Sequence, residues 1–409
     1  MSKRISSFTL PILALFIGCE KPLEGWNKYV HSKDALKAQN VITAELLNKH
    51  ISTLASDEFE GRSPGTVGEE KTIEYLTDTY ESLGLEPGNP DGTWLQKVTM
   101  TRIISELKAQ FITDDERWVM NVGEDIVGNS FQTNEQVNLK NTDLIFCGYG
   151  VNAPEYDWND FDAVDVKGKV IVVLVNDPPV MKEGALDESM FGGKAMTYYG
   201  RWSYKFEEGL RQGAVGVLVV HETIPAGYPF GVLQAGYAGE QLTIEDPNTT
   251  PLALQGWIPL ASAERLFKMN GFDYHELKAA SIKPDFKAVP MKAKFTSNMT
   301  NSVRRFSSNN IIAKYEGNDP ELKNEYIIYT AHWDHLGKDR KLDGDQIYNG
   351  ANDNASGTGM IMAAAEAFSN LKNGSKRSIL FLAVTAEEQG LLGAKFYSLN
   401  CFITSIKTW

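Results

Sequence analysis

Residues 325–337 read EYIIYTAHWDHLG, an apolar, β-branched run that breaks into two histidines around an aspartate. Such a run reads as a buried strand, and His332, Asp334 and His335 emerge where it stops. Farther along, SILFLAVTA (378–386) is a second unbroken apolar run, which predicts a strand buried on both faces of a mostly parallel sheet. It too ends in charge, at Glu387 and Glu388. Between the two runs, NGANDNASG (349–357) sets Asp353 in a Gly/Asn-rich loop, and SGTGMIMAAAEAFSNL (356–371) continues as a helix. With NIIAKYEG (310–317) as a further strand, the region after residue 308 is predicted to be an alternating α/β unit. In open sheets of this kind ligands gather beyond the carboxyl ends of the strands. His332 and the Glu387–Glu388 pair therefore point to one rim, with Asp353 in reach of it.

The chemistry those residues offer is specific. A neutral imidazole with two or three carboxylates suits Zn²⁺, and one aspartate can bridge two metals with its two oxygens. Adjacent glutamates in a turn can diverge, one on a metal and the other facing water as general base. An aspartate two residues after a ligand histidine can accept the other ring N–H and fix the tautomer. Each signal alone has a plainer reading. A histidine after a strand is a hydrogen-bonded loop residue, Asn354 or Ser356 caps a helix, and a Glu–Glu pair is a solvated face. Three such clusters in one unit favour a metal site.

The rest of the chain frames this unit. Its 409 residues suffice for two domains, and 42% apolar with 23% charged residues is an ordinary globular composition. A net charge of −13 argues against a nucleic-acid partner. Lys3 and Arg4 precede FTLPILALFIG (8–18) and then Cys19, the layout of an export leader too short to span a membrane as an anchor. Two kinds of export fit. One is a lipoprotein signal over 1–19 with Cys19 lipidated, making a periplasmic or outer-membrane lipoprotein. The other is plain secretion, because Phe16 is not the aliphatic residue usual three before such a cysteine. Residues 20–40 read as a polar tether. Cys147 sits in an apolar strand and reads as a small core residue, and two thiols after Cys19 make no disulfide framework.

In 56–85 a Gly/Pro-rich turn precedes a helix with Ile73, Leu76, Tyr80 and Leu83 at helical spacing, stopped by Gly84. Short β-like runs such as DLIFCGYGV, KVIVVLVND and AVGVLVVHE fill 105–295, a compact β-rich unit with a few helices. The 56–85 helix goes with the last unit, so the β-rich one is an insertion. Tyr198, Tyr199, Trp202 and Tyr204 form an aromatic group within it, which lines a cleft or fills a core.

TAHWDHLG, GANDNASG and TAEEQGLLGAKFY resemble, in order and spacing, three motifs of the co-catalytic zinc aminopeptidases, family twenty-eight of the metallopeptidases in clan MH. LASDEFEGRSPGT (54–66) resembles the family's entry segment. The stretches at 146–179 and 198–223 are similar to its inserted protease-associated domain. The resemblance spans nearly all of 41–400. It implies an α/β zinc exopeptidase domain in two pieces, 41–104 and 296–409, around a protease-associated domain at 105–295. Carried over by motif, it implies His332 on one zinc, Asp334 orienting that histidine, and Asp353 bridging two zincs. It likewise makes Glu388 a ligand of the other zinc and Glu387 the general base. The implied reaction is hydrolysis of the N-terminal bond of peptide substrates, with a zinc-bridged water as attacking group.

One departure stands out. The family adds an aspartate and a histidine as later ligands, and after Glu388 this sequence has no Asp, Glu or His, ending in CFITSIKTW (401–409). The expectation is a truncated or frameshifted record holding only the first half of the second peptidase piece, short of the activity of a complete member. Two alternatives fit the same scaffold: a non-catalytic binding lipoprotein, like the family's transferrin receptors, and a glutaminyl cyclase-like zinc enzyme.

Overall fold

The apolar runs collect into one central sheet of twelve strands in the computed structural model, which describes residues 33–162, 164–246 and 248–400. Its principal strands in chain order are β1 (Leu95–Ile112), β2 (Gln136–Phe146), β3 (Val170–Leu174) and β4 (Gly216–His221). They continue as β5 (Leu254–Pro259), β6 (Val289–Tyr315), β7 (Tyr326–His332) and β8 (Ser378–Val384). The helices that matter here are α1 (Lys33–Gln39), α2 (Ala44–Leu54), α3 (Val67–Ser82), α4 (Trp202–Arg211), α5 (Ser356–Ser369) and α6 (Leu392–Leu399).

The α/β class expected from the sequence is present, with a mixed sheet. β2, β3, β4 and β5 are mutually parallel, and β7 is parallel to β8. The β3–β4 step is made through α4, because parallel neighbours need a long crossover. β6 runs antiparallel to β1, β2 and β8. It is the spine: Lys294 pairs with Ile112 and Ile311 with Leu95 along one side, and Ile311 to Tyr315 pair with Ala383 to Ile379 on the other. The joints expected at 104/105 and 295/296 thus fall inside β1 and β6, which carry one sheet through both parts of the chain.

β8 is covered on both faces, as its unbroken apolar run predicts. Ile379, Phe381 and Ala383 join a core with Leu76 and Tyr80 of α3 and with Ile361 and Met362 of α5. Leu380, Leu382 and Val384 point the other way, into a cluster with Ile312 and Tyr397 of α6. Burying each such side chain stabilises the fold by about 1.5–3 kcal/mol. α3 buries Leu76 and Tyr80 completely, and Gly84 follows it in the left-handed region at φ 74°, where a side chain would be strained.

β7 departs from the expectation of a buried strand. Ile327, Ile328 and Tyr329 are 46%, 37% and 39% exposed. Among the described residues β7 pairs with β8 alone, so it is an edge strand, and apolar composition by itself does not separate an edge from an interior position.

The leader-like residues 1–19 with Cys19, the first part of the 20–40 stretch and Cys401 lie outside the described residues. The rest of the expected tether is helical: α1 buries Ala38, and Asp34 accepts hydrogen bonds from the backbone N–H groups of Lys372 and Asn373. Cys147 is fully buried, as a core residue should be. No helix among the described residues is long and apolar enough to cross a membrane.

His50 of α2 is 2% exposed, with Nδ1 2.8 Å from the Tyr75 hydroxyl and Nε2 without a hydrogen-bond partner. Burial holds its pKa down at about 4, against 6.5 for a free side chain. The unfolded chain therefore takes up this proton before the folded one does. Its contribution is complete above pH 6.5 and is lost as pH falls from 6.5 to about 4, by up to about 1.4 kcal/mol per pH unit. Urea unfolding across that window is expected to show the slope in the unaltered chain and a flatter profile in His50→Gln.

Candidate metal centre

The rim at the ends of β7 and β8 gathers the polar residues singled out in the sequence. β7 ends at His332, and the parallel register sets it level with Val384, three residues before Glu387. Ala386 takes the left-handed conformation at φ 52° and turns the chain sharply after β8. The turn aims the Glu387 N–H between the two oxygens of Asp334, each 3.1 Å away. Asp353 comes from the loop before α5. There Asn354 takes the capping work, its Oδ1 accepting from the Gly357 N–H at 2.9 Å, and leaves Asp353 exposed at the rim.

These elements bring together His332, Asp353 and Glu388, each offering one ligand atom, all within 4.8 Å of one another. His332 Nε2 lies 3.1 Å from Asp353 Oδ1 and 3.7 Å from Glu387 Oε2. The carbonyl of His332 accepts from Thr358 of α5, which ties the ligand histidine to the helix that follows the Asp353 loop. One imidazole and two carboxylates are a donor set that suits zinc, and Nε2 is free for it when Nδ1 carries the proton.

Asp334 is placed differently from the expectation that its carboxylate accepts the His332 ring N–H. Nδ1 is 3.7 Å from Asp334 Oδ1 and 3.2 Å from the backbone oxygen of the same residue. The reason is competition: both carboxylate oxygens are turned to the Glu387 N–H. Asp334 still fixes the tautomer, through its carbonyl, and its side chain positions the glutamate turn. Complete burial raises the Asp334 pKa, opposed by the Glu387 N–H and by His332.

Two residues that the motif reading gave no role hold the site from beneath. His335 Nδ1 lies 2.5 Å from Glu388 Oε1, so it orients one ligand carboxylate. Arg62, 1% exposed, threads under the rim. Its Nε donates to the Trp333 carbonyl, Nη1 to those of Leu54 and Asn349, and Nη2 to that of Gly350. Burial brings its pKa down to about 10, while Asp334, Asp353 and Glu388 act to raise it, so it remains a cation at neutral pH. Gly350, at φ 58°, lets the Asp353 loop pass over it, since a Cβ there would stand 2.6 Å from Arg62 Nη2 and from His335 Cδ2.

Residues 310–408 match the model of peptidase family M28. The matched segment contains His332, Asp334, Asp353, Glu387 and Glu388, while Arg62 reaches it from outside. No curated protein sequence matches the chain. Among solved structures, the chain is similar to an aminopeptidase from Aneurinibacillus sp. strain AM-1, at 18% identity and a TM-score of 0.43. That likeness covers 90% of this chain and 68% of the other. It is similar to a zinc aminopeptidase from Bacillus subtilis at 19% identity and TM-score 0.37, covering 87% and 64%. A peptidase M28 precursor from Shewanella amazonensis SB2B resembles it at 16% identity and TM-score 0.39, covering 90% and 70%.

Within the matched segment the role of Asp334 has a direct test. Asp334→Asn replaces one of the two acceptors facing the Glu387 N–H with an amide N–H₂ of nearly the same size. Zinc affinity, read by competition with a chelating dye, is expected to fall about 10- to 100-fold, as for other groups that orient ligands without binding the ion.

Proposed function

We propose that this chain is an exported zinc aminopeptidase, hydrolysing N-terminal bonds of peptide substrates. The observation that carries the reading is the meeting of His332, Asp353 and Glu388 within 4.8 Å, with the Glu387 carboxylate beside them. Zinc held by these three residues would supply a Lewis acid for the scissile carbonyl and a water of lowered pKa. Asp353 is the most exposed of the set and has a second carboxylate oxygen, so it would bridge two zincs, with His332 on one and Glu388 on the other, the paired arrangement that the resemblance implies. Glu387 takes the proton of the attacking water and passes it to the leaving amine. Asp334 keeps Glu387 in place through the backbone, and His335 holds Glu388. Export follows from the leader-like residues 1–19, with lipidated Cys19 as the attachment to a bacterial membrane.

The test is zinc content together with hydrolysis of aminoacyl-p-nitroanilides. The purified chain is expected to retain zinc through dialysis, and His332→Ala and Glu388→Ala to lose it. Hydrolysis should stop on chelation and return when zinc is added. A chain that binds no zinc, or that cleaves equally well after chelation, overturns the reading.

A further inference from the structure

Glu387 and Glu388 sit on one tight loop, Thr385 to Gly393, whose two ends meet. The Gly393 N–H donates to the Thr385 carbonyl at 2.9 Å, and the Leu392 N–H to that of Ala386 at 3.0 Å. Against these ends stands Asn310 of β6, fully buried. Its Oδ1 accepts from the Thr385 N–H at 3.0 Å, and its Nδ2 donates to the Gly393 carbonyl at 2.9 Å. One side-chain amide thus grips both ends of the loop. The same Nδ2 donates to Gln96 Oε1 at 2.9 Å, on the residue paired with Asn310 across β1 and β6. The joint has no slack: a Cβ on Gly393 would stand 2.3 Å from the Thr385 carbonyl oxygen and 2.5 Å from Asn310 Oδ1.

A second tie runs beside the first. The Thr385 hydroxyl lies 2.6 Å from that of Ser308, which is two residues before Asn310 and so on the same face of β6. Ser308 spends its one hydrogen on Glu69 Oε1 at 2.8 Å, so Thr385 is the donor between the two hydroxyls. Glu69, buried in α3, also accepts from the Asn309 amide and from the Gly65 N–H. Thr385, Ser308 and Asn310 are shut off from solvent, and their polar atoms depend on these partners. A buried network of this kind stabilises a fold wherever it sits. This one ends on the two residues that bracket the glutamates, while Asp334 holds the Glu387 N–H between them.

We infer that Asn310 is a positioning residue: by gripping both ends of the 385–393 loop, with Thr385, Ser308 and Glu69 as a buttress, it fixes where the Glu387 and Glu388 carboxylates stand relative to His332 and Asp353. This rests on the zinc aminopeptidase reading for the work those carboxylates do. It adds to that reading a support that comes from the sheet spine rather than from the rim.

Asn310→Leu keeps the size of the side chain and removes both grips. Hydrogen exchange of the 385–393 amides, read by mass spectrometry on the zinc-free chain, is expected to quicken by up to about tenfold, with exchange in β7 and β8 unchanged. At saturating zinc, kcat for aminoacyl-p-nitroanilides is expected to fall about 10- to 100-fold at unchanged KM, because a misplaced base slows the chemistry without weakening substrate binding. Thr385→Val keeps the shape of the side chain and removes the hydroxyl, so it should show both effects more weakly. Thr385→Ser restores the hydroxyl and should show neither. If Asn310→Leu does not fold, the Thr385 pair carries the test. Exchange that rises equally over the loop, β7 and β8 makes Asn310 a stabiliser of the sheet alone and overturns the inference. Loop exchange or kcat unchanged in Asn310→Leu overturns it as well, as does a Thr385→Val chain that behaves like Thr385→Ser. An unaltered chain that binds no zinc and cleaves nothing counts against the enzyme reading alone, since exchange in the zinc-free chain still tests the grip on the loop.

Discussion

Glu387→Gln is expected to hold as much zinc as the unaltered chain and to hydrolyse aminoacyl-p-nitroanilides about 10²- to 10⁴-fold more slowly. The glutamine has the size of the glutamate and leaves the backbone N–H, the group that Asp334 grips, unchanged. What it removes is the ability to take a proton. Glu387 Oε2 stands 3.7 Å from His332 Nε2, near the three donors but not among them, so the ion has no need of it. A fall confined to kcat marks a group that acts in the transition state, whereas a rise in KM alone marks one that binds substrate. Zinc lost together with activity would place Glu387 among the ligands, and an unchanged rate would remove it from the chemistry altogether.

The local parts of this site were readable because each rests on a short-range rule. Apolar runs marked β7 and β8, their ends marked the rim, and a Gly/Asn-rich loop before a helix marked where Asp353 emerges. The capping alternative for Asn354 or Ser356 was also readable, and the Asn354 side chain does accept from the Gly357 N–H, which leaves Asp353 available. The parts that were not readable depend on long-range placement. Nothing near Arg62 signals that it will cross to carbonyls at positions 333, 349 and 350. His335 stood in the right motif, but only the fold brings Glu388 to its Nδ1. The edge position of β7 follows from which strands pair with it, and the run Tyr326–His332 is as apolar as an interior strand. The split of the aromatic group, with Tyr204 buried and Trp202 half-exposed, likewise follows from which face α4 turns to the core.

Arg62→Ala is expected to lower the stability of the fold by about 3–5 kcal/mol, the cost of taking one partner out of a buried charged network. Four carbonyl oxygens lose the guanidinium together; that of Gly350 keeps the Ala355 N–H, while those of Leu54, Trp333 and Asn349 are left without a donor. Each acceptor left unpaired in the interior costs about 1–3 kcal/mol, and water entering the space left by the side chain offsets part of that sum. The charge matters as well as the hydrogen bonds. Asp334, Asp353 and Glu388 are the three carboxylates that act on Arg62, and without it they repel one another with less compensation. Zinc supplies positive charge to two of those three carboxylates, so its addition should restore part of the loss, since a ligand that binds only the folded state stabilises it. Arg62→Lys separates the two effects: it keeps a cation, yet its single ammonium does not span four carbonyls in three directions. Urea unfolding with and without zinc is the measurement. The expected order of midpoints is the unaltered chain, then Arg62→Lys, then Arg62→Ala, with the gap narrowing when zinc is present. A midpoint for Arg62→Ala equal to that of the unaltered chain would mean that the loops carrying Trp333 and Asp353 are held by other contacts, and the guanidinium would lose its role under the rim.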